Sequence, residues 1–269
     1  MNGVDISHYQ QGLTMQQISG AGNQFAIIKL TEGTWLVDKS SFDFYREAYE
    51  LGFPVGCYCY SHAINAQQAM AEAGYLMDTL RGFPMPCGVF LDIEEPKQLD
   101  LPHDDLLNVI RGWCAGIGGK GYIPGVYGSE GNLWAKISPD ELPDGCLVWV
   151  AKWSSNPPGL RCDLWQTSDS GKIEGYSGNV DTDAAMSDYF SALVSRGFPN
   201  KESDSDAHDD GKDVIVPTTV TTDAGIKATV MVLQMLMSYA GYWGTVTGER
   251  SPEFSEALRM FVADLEKAK

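Results

Sequence analysis

Short apolar runs alternate with amphipathic stretches over the first two thirds of the chain, and this alternation limits the folds available to it. Eight runs have the length and residue types of strands: 3–7, 25–31, 55–62, 88–94, 123–128, 146–153, 162–167 and 179–182. Four stretches carry apolar side chains at helical spacing: 41–51, 65–80, 101–117 and 187–194. This order favours a parallel sheet, and eight strands in about 195 residues indicate a closed barrel.

The last strands are joined by short links, so the ring of helices outside the barrel is expected to be incomplete. The predicted fold class is therefore α/β, a (β/α) barrel over residues 1–196. The composition changes at 197–222, where Asp alternates with Ser, Gly and Lys before a Thr-rich run, as in an extended linker. Residues 223–269 then predict a small α-helical module, in which Ser251 and Pro252 start the last helix.

Charge and cysteine content exclude several classes of protein. The net charge of -17 argues against nucleic acid or an anionic membrane surface as a partner. The apolar run at 230–242 is too short and too interrupted to insert into a membrane. Six cysteines without a C-x-x-C pair, and only four histidines, predict buried free thiols, no metal site and no cofactor. The first residues lack the features of a signal peptide, so we expect synthesis in a cytoplasm without a cleavable export signal.

One strand candidate ends in two acids, in the sequence Val89-Phe90-Leu91-Asp92-Ile93-Glu94-Glu95-Pro96. On a strand, Phe90, Asp92 and Glu94 would share one face. Two neighbouring carboxyl groups suit glycoside hydrolysis, which needs one protonated and one ionised group close together. The alternative is a strand that ends in solvated acids. If Asp92 is ionised, it should keep the proton of Glu94 in place to higher pH.

Chemistry in a parallel barrel gathers at the carboxyl ends of the strands. The positions predicted there are weighted towards carboxylates and aromatic rings, a composition that suits a sugar site. They are Asp5, Lys29, Glu32, Tyr60, His62, Asp92, Glu94, Tyr127, Lys152, Trp153, Gln166, and Asp181 or Asp183. Of these, His62 and Lys152 are expected to be structural, and Asp183 to cap the following helix. Glu95 is expected to face solvent.

Seven motifs in order resemble glycoside hydrolase family 25, the Chalaropsis-type muramidases found in many phage endolysins. The motifs are GVDISHYQ, FAIIKLTEG, PVGCYCYSHA, FLDIEEP, PGVYGS, WVAKW and DLWQTSDSGKIEGYSGNVDTD, and they cover roughly residues 1–195. The resemblance implies a (β/α)-type barrel with few helices and hydrolysis of the β-1,4 bond after N-acetylmuramic acid in peptidoglycan. One departure is Cys59, where family members often have His.

The resemblance also implies the site residues. Glu94 matches the general acid, Asp92 its partner, and Asp5 and Asp181 two further acids that complete the site. The substrate-contacting positions are Tyr60, Tyr127, Trp153 and Gln166. The family is described as retaining, with either the N-acetyl carbonyl of the substrate or Asp92 as the nucleophile, and two-carboxylate chemistry alone does not distinguish these.

Three functions compete for the barrel. The first is a muramidase, as a phage endolysin released through a holin pore, with bacterial peptidoglycan as its partner. The second is a chitinase-like hydrolase, disfavoured because FLDIEE lacks the upstream aspartates of D-x-x-D-x-D-x-E. The third is a catalytically silent glycan-binding barrel, disfavoured by the intact set of acids.

The C-terminal module has two candidate roles. Part of it, VLQMLMSYAGYWGTVTG followed by SPEFSEALRMF, resembles the helical peptidoglycan-binding repeat and would bind the cell wall. The alternative is a helical hairpin that makes the protein a homo-oligomer.

Overall fold

The computed structural model of the chain describes residues 1–198, and in that part nine strands form one sheet. The strands are β1 (Asn2–Ile6), β2 (Phe25–Glu32), β3 (Leu36–Val37), β4 (Val55–Tyr60), β5 (Val89–Asp92), β6 (Pro124–Ser129), β7 (Leu147–Ala151), β8 (Leu164–Gly171) and β9 (Val180–Ala185). Eight of them follow one another around a barrel, which the pairing of β1 with both β2 and β9 closes. Strand β3 is a short addition that pairs antiparallel with β2.

Helices surround only part of this barrel. They are α1 (Met15–Gly20), α2 (Ser41–Leu51), α3 (Ala66–Leu80), α4 (Pro96–Leu99), α5 (His103–Gly118), α6 (Leu133–Lys136) and α7 (Asp188–Arg196). Strand β6 is followed by a single helical turn, and in the described chain no helix connects β7 to β8 or β8 to β9. The predicted barrel with an incomplete helical ring is therefore confirmed.

One strand runs against the predicted parallel order. Strand β9 is antiparallel to both β8 and β1, whereas all other neighbouring barrel strands are parallel. The physical reason is the link of eight residues, 172–179, between β8 and β9. A parallel pair needs a crossover of a dozen or more residues, so this link can only close a hairpin.

Alternation along the strands separates two apolar layers. Outward side chains such as Ile28, Cys57, Leu91 and Val126 pack under the helices. Cys59 belongs to the same outer layer, so the position at which this chain departs from the family pattern does not face the barrel interior. Inward side chains form a second cluster, built on Phe25, Ile27, Phe90, Trp149 and Leu164.

Helix α7 covers the amino-terminal end of the barrel. Its Phe190, Leu193 and Val194 belong to the interior cluster, and Phe190 meets Phe25 edge to face at 5.2 Å between ring centroids. The opposite, carboxyl-terminal mouth is therefore the open end at which polar side chains can meet solvent.

Two further predictions are tested within the described residues. All six cysteines are free thiols, five of them buried, as expected. No helix of residues 1–198 combines the length and apolar character of a membrane span. The predicted linker at 197–222, apart from its first two residues, and the helical module at 223–269 lie outside the described residues.

Close packing inside the barrel generates a stability prediction. Gly125 on β6 faces inward, where a Cβ atom would overlap the Phe90 ring. Gly125→Ala should therefore lower the free energy of unfolding by about 1–3 kcal/mol, because an overpacked core forces strain. Urea unfolding measures the change. Gly131→Ala is the matched control, since nothing lies within 4 Å of its Cβ position, and an equal loss in both variants would contradict the packing assignment.

Candidate active site

Asp5, Asp92, Glu94 and Asp181 meet at the carboxyl-terminal mouth of the barrel. Asp5 on β1 lies directly opposite Asp181 on β9 in the antiparallel register. Asp92 is the last residue of β5, and Glu94 follows it by two residues. The charge of Glu94 raises the pKa of both Asp92 and Asp181, and Asp181 raises the pKa of Asp5. The four predicted acids therefore form one electrostatic group.

Asp92 is the more deeply buried member of the strand-end pair. Its side chain is buried, and Oδ1 has no hydrogen-bond donor among the described residues. Burial first, and then the charge of Glu94, raises the pKa of Asp92 well above its ordinary value. Glu94 is exposed at the rim, although partial desolvation of its carboxyl group raises its pKa too. The pKa of both carboxyl groups of the strand-end pair is thus raised, and the expectation that Asp92 is the ionised one stays a prediction.

Lys29 supplies the positive charge of the site. It lies on β2, and its Nζ is 2.8 Å from Glu32 Oε2. Its charge lowers the pKa of Asp92 and of Glu94, partly offsetting desolvation. Lys29 lies at a predicted strand end but was not among the predicted catalytic or substrate-binding residues. A lysine at an inward position of an apolar strand is the signal that could have found it.

Gln166 joins two of the predicted substrate contacts, Tyr127 and Trp153, to Asp5. Its Oε1 accepts hydrogen bonds from the Tyr127 hydroxyl at 2.9 Å and from Trp153 Nε1 at 3.0 Å. Its Nε2 donates to Asp5 Oδ2 at 2.8 Å, which lowers the pKa of Asp5 against the larger effect of burial. The structure thus brings Tyr127, Trp153 and Gln166 into one chain of hydrogen bonds that ends on an acid.

Tyr60, the fourth predicted substrate contact, belongs to a second cluster at the rim. Its hydroxyl donates to Glu95 Oε1 at 3.2 Å. His62 lies between two acids, with Nε2 3.2 Å from Glu32 Oε1 and Nδ1 3.4 Å from Glu95 Oε1. The expectation that Glu95 faces solvent is wrong, because this half-buried carboxyl is held by Tyr60 and His62. The structural role expected for His62 agrees with these contacts.

Asp183 is a buried member of the acidic group. It lies on β9, and its Oδ1 accepts a hydrogen bond from Trp149 Nε1 at 2.8 Å inside the barrel. The expectation that Asp183 caps a helix is wrong, since the side chain of Ser187 caps α7. The alternation of side chains explains the difference: Asp181 and Asp183 both point inward on one strand.

Burial raises the pKa of Asp183 to about 8 and that of Asp181 to about 6. The Asp183 Oδ2 atom has no hydrogen-bond partner among the described residues. Burial and the neighbouring carboxyl groups also raise the pKa of Asp5 well above its ordinary value. Asp5 and Asp183 thus form a buried pair of carboxyl groups, both with a raised pKa.

Exposed aromatic rings stand around the mouth. Trp153, after β7, is 61% exposed although its indole N–H is bonded to Gln166. Trp35, in the loop after β2, is 63% exposed and stacks on His62 with 4.9 Å between ring centroids. Tyr9, just after β1, is 78% exposed. Trp35 and Tyr9 were not predicted, and their place in loops after barrel strands is the signal that could have found them.

Among residues 1–198, no group of three or more His, Cys, Asp or Glu side chains has an arrangement that could hold a metal ion. The exposed and buried carboxyl groups are instead held by Gln166, Trp149, Tyr60, His62 and Lys29. These carboxyl groups can move protons at the mouth of the barrel and stabilise positive charge there.

Residues 4–176 match the family model of glycosyl hydrolases family 25, which is more than half of the chain. The chain belongs to this family. The match includes Asp5, Asp92, Glu94 and every predicted substrate contact, whereas Asp181 and Asp183 lie just beyond its end.

Individual relatives agree with the family assignment. The autolytic lysozyme of Clostridium acetobutylicum is 28% identical over 189 residues, which are 68% of this chain and 55% of that protein. The chain thus spans about half the length of this curated relative. The lysozyme of Streptomyces coelicolor superposes with a TM-score of 0.64 at 25% identity, over 73% of this chain and 96% of that one. The catalytic domain of the endolysin Ply40, from a Listeria monocytogenes phage, gives 0.60 at 24% identity, over 72% and 97%.

The raised pKa of Asp183 predicts how stability depends on pH. The pKa of Asp183 is about 8 in the folded protein against an ordinary value of 3.8, so the folded state binds more protons between these values. Wild-type stability should therefore fall as pH rises from about 4 to about 8. Asp183→Asn removes this titration and should be more stable than wild type at pH 8, with the gap closing towards pH 4.

Thermal unfolding at pH 4, 6 and 8 measures this difference. Asp144→Asn is the matched control, because it removes an exposed carboxylate outside the barrel. An Asp183→Asn variant whose Tm differs from wild type by the same amount at all three pH values would contradict the raised pKa of Asp183.

Proposed function

We propose that the protein is a muramidase that hydrolyses the β-1,4 bond between N-acetylmuramic acid and N-acetylglucosamine in peptidoglycan. The observation that carries the proposal is the strand-end pair in this family's barrel, with Asp92 buried and Glu94 at the rim, facing Asp5 and Asp181. Lysozymes among the relatives support the substrate class. Exposed indole rings at the same mouth suit the apolar faces of sugars.

Glu94 is assigned the role of general acid. It is the acid of the pair that solvent and substrate can reach, and partial desolvation raises its pKa, as proton donation near neutral pH requires. Its proton goes to the glycosidic oxygen as the bond from that oxygen to the sugar carbon breaks. The charge of Lys29 acts on the same carboxyl group and stabilises it once it is ionised.

Asp92 is assigned an orienting role. Its Oδ1 atom is enclosed and the residue is only 5% exposed, so an N–H group of the substrate would meet the other carboxyl oxygen of Asp92. A donor bound there would stabilise ionised Asp92 and transfer the proton of the pair to Glu94 when substrate is present. This favours the N-acetyl carbonyl of the substrate as the nucleophile, because Asp92 in this arrangement faces the N-acetyl group.

Asp181 is assigned the stabilisation of the transition state. It is half-buried with a pKa of about 6, so it is largely ionised near neutral pH. A carboxylate at this place can stabilise the positive charge that develops on the sugar ring. Asp5, whose carboxyl group is bonded to Gln166, is assigned an orienting role.

The first test is Glu94→Gln, which keeps the size of the side chain but cannot donate the proton. We expect kcat on purified peptidoglycan to fall by at least about 100-fold, with Tm unchanged. Analysis of the new reducing ends separates the candidate functions: muramic acid ends support the muramidase, and chito-oligosaccharides support a chitinase-like enzyme. Glu141→Gln, outside the mouth and before β7, is the matched control, and lysis by Glu94→Gln at the wild-type rate would contradict the role of Glu94.

The biological role we propose is host lysis by a phage endolysin, with synthesis in the host cytoplasm and release through a holin pore. The structural likeness to an endolysin catalytic domain supports this role. Expression in a susceptible bacterium tests it: cells should lyse only when a holin is expressed with the protein. Lysis without the holin would contradict the proposed route.

The chain outside the barrel is proposed to bind the cell wall or to assemble copies of the protein. We expect residues 1–198 alone to keep hydrolytic activity on solubilised peptidoglycan and to lose retention on intact walls. Pull-down with walls and the mass in solution separate the two roles of 223–269. Unchanged wall retention together with an unchanged mass would contradict both of them.

A further inference from the structure

A carboxylate from the outer helix layer lies buried beneath two loops of the mouth. Glu72 of α3 is 3% exposed, on the side of the helix that otherwise carries Ala69, Ala73 and Leu76. Its Oε2 accepts a hydrogen bond from Ser61 Oγ at 2.7 Å, and its Oε1 accepts one from the backbone N–H of His62 at 2.9 Å. Burying a carboxyl group is costly unless its oxygens are bonded, and both oxygens of Glu72 accept hydrogen bonds.

A second buried side chain connects the same loop to helix α4. Gln98 of α4 is fully buried, and its Nε2 donates to Ser61 Oγ at 3.0 Å and to the carbonyl of Ala63 at 2.9 Å. Ser61 therefore accepts from Gln98 while it donates to Glu72. The loop 61–63, which follows β4, is thus held from both sides.

Gln98 also connects this loop to the acid pair. Helix α4 begins directly after Glu95, and the backbone N–H of Gln98 donates to the carbonyl of Glu95 at 2.9 Å. The backbone N–H of Ser61 donates to the carbonyl of Asp92 at 3.0 Å. Glu94 lies between these two anchor points, outside any helix or strand, so its backbone has few other restraints.

The loop itself carries the histidine of the rim. His62 stands between Glu32 and Glu95 and supports the ring of Trp35. A shift of the loop would therefore move Glu95, Glu32 and the exposed indole ring of Trp35 together.

We propose that Glu72 and Gln98 are positioning residues that clamp the loop 61–63 against α4 and so hold Glu94 in place at the mouth. Neither side chain reaches the mouth itself, and neither is expected to touch substrate. The catalytic role of Glu94 rests on the proposed function, whereas the clamp is a property of the fold and can be measured separately.

The kinetic test uses the full chain with Glu72→Gln and Gln98→Leu. An amide at position 72 cannot accept from both Ser61 and His62, and leucine at 98 removes both donations. We expect kcat on peptidoglycan to fall by about 10- to 100-fold with KM changed less than about threefold, because a small misplacement of a catalytic group lowers the rate of the chemical step. The double variant should be no worse than the poorer single one, since both residues act through Ser61.

Leu76→Ala is the matched control for stability. It removes a fully buried side chain from the same helix α3 without touching the loop. It should lower Tm at least as much as Glu72→Gln while leaving kcat at the wild-type value at a temperature where all variants are folded. If Glu72→Gln and Gln98→Leu also keep wild-type kcat, the two residues are structural only and the proposal fails.

A readout independent of activity separates this inference from the proposed function. In nuclear magnetic resonance spectra, Glu72→Gln and Gln98→Leu should shift the backbone amide signals of His62 and Glu94, whereas Leu76→Ala should leave that of Glu94 unmoved. If the wild type is inactive and the Glu94 signal still shifts in the two variants, the proposed function is refuted but the clamp is not. Unmoved Glu94 signals in both variants would refute the clamp, whatever the activity.

Discussion

The desolvation of carboxyl groups above an apolar floor is the constraint on which this molecule depends. Phe25, Phe90 and Trp149 fill the barrel below the mouth, and α7 covers its lower end. Water therefore reaches the acids from one side only, and burial is the largest cause of the raised pKa of Asp5, Asp92, Asp181 and Asp183. The packing that stabilises the barrel thus also raises the pKa of the acids at its mouth.

Closure of the barrel decides which acids meet. Strand β9 enters between β8 and β1 in the antiparallel direction, and its register sets Asp181 opposite Asp5. A parallel crossover between β8 and β9 would have added a helix outside the barrel. It would also have placed Asp181 and Asp183 near the amino-terminal end of the barrel. The site thus requires the short hairpin, because β9 then begins at the mouth and its first inward residue, Asp181, lies there. Gln166 on β8 then links this corner to Tyr127 and Trp153.

Much of the fold and the main acids could be predicted from sequence because both follow from alternation. Residues two apart on a strand share a face, so a motif such as FLDIEEP places Asp92 inside as soon as the strand is recognised. Long-range partners could not be predicted in the same way. Nothing local to Asp183 indicates Trp149 as its donor, and nothing near Glu95 indicates His62, since these contacts arise only when distant strands become neighbours. The raised pKa of Asp92 could not be predicted for the same reason, because burial inside the barrel is its largest cause.

Desolvation also explains why the rim is rich in paired charges while the interior is not. Lys29 is the one basic side chain within the described residues whose charge acts on both members of the strand-end pair, and it is itself paired with Glu32. Glu32 in turn meets His62, which meets Glu95, which accepts from Tyr60. Lys29 lowers the pKa of Asp92 and Glu32 raises it, so the paired acid partly offsets the effect of the lysine on the strand-end pair.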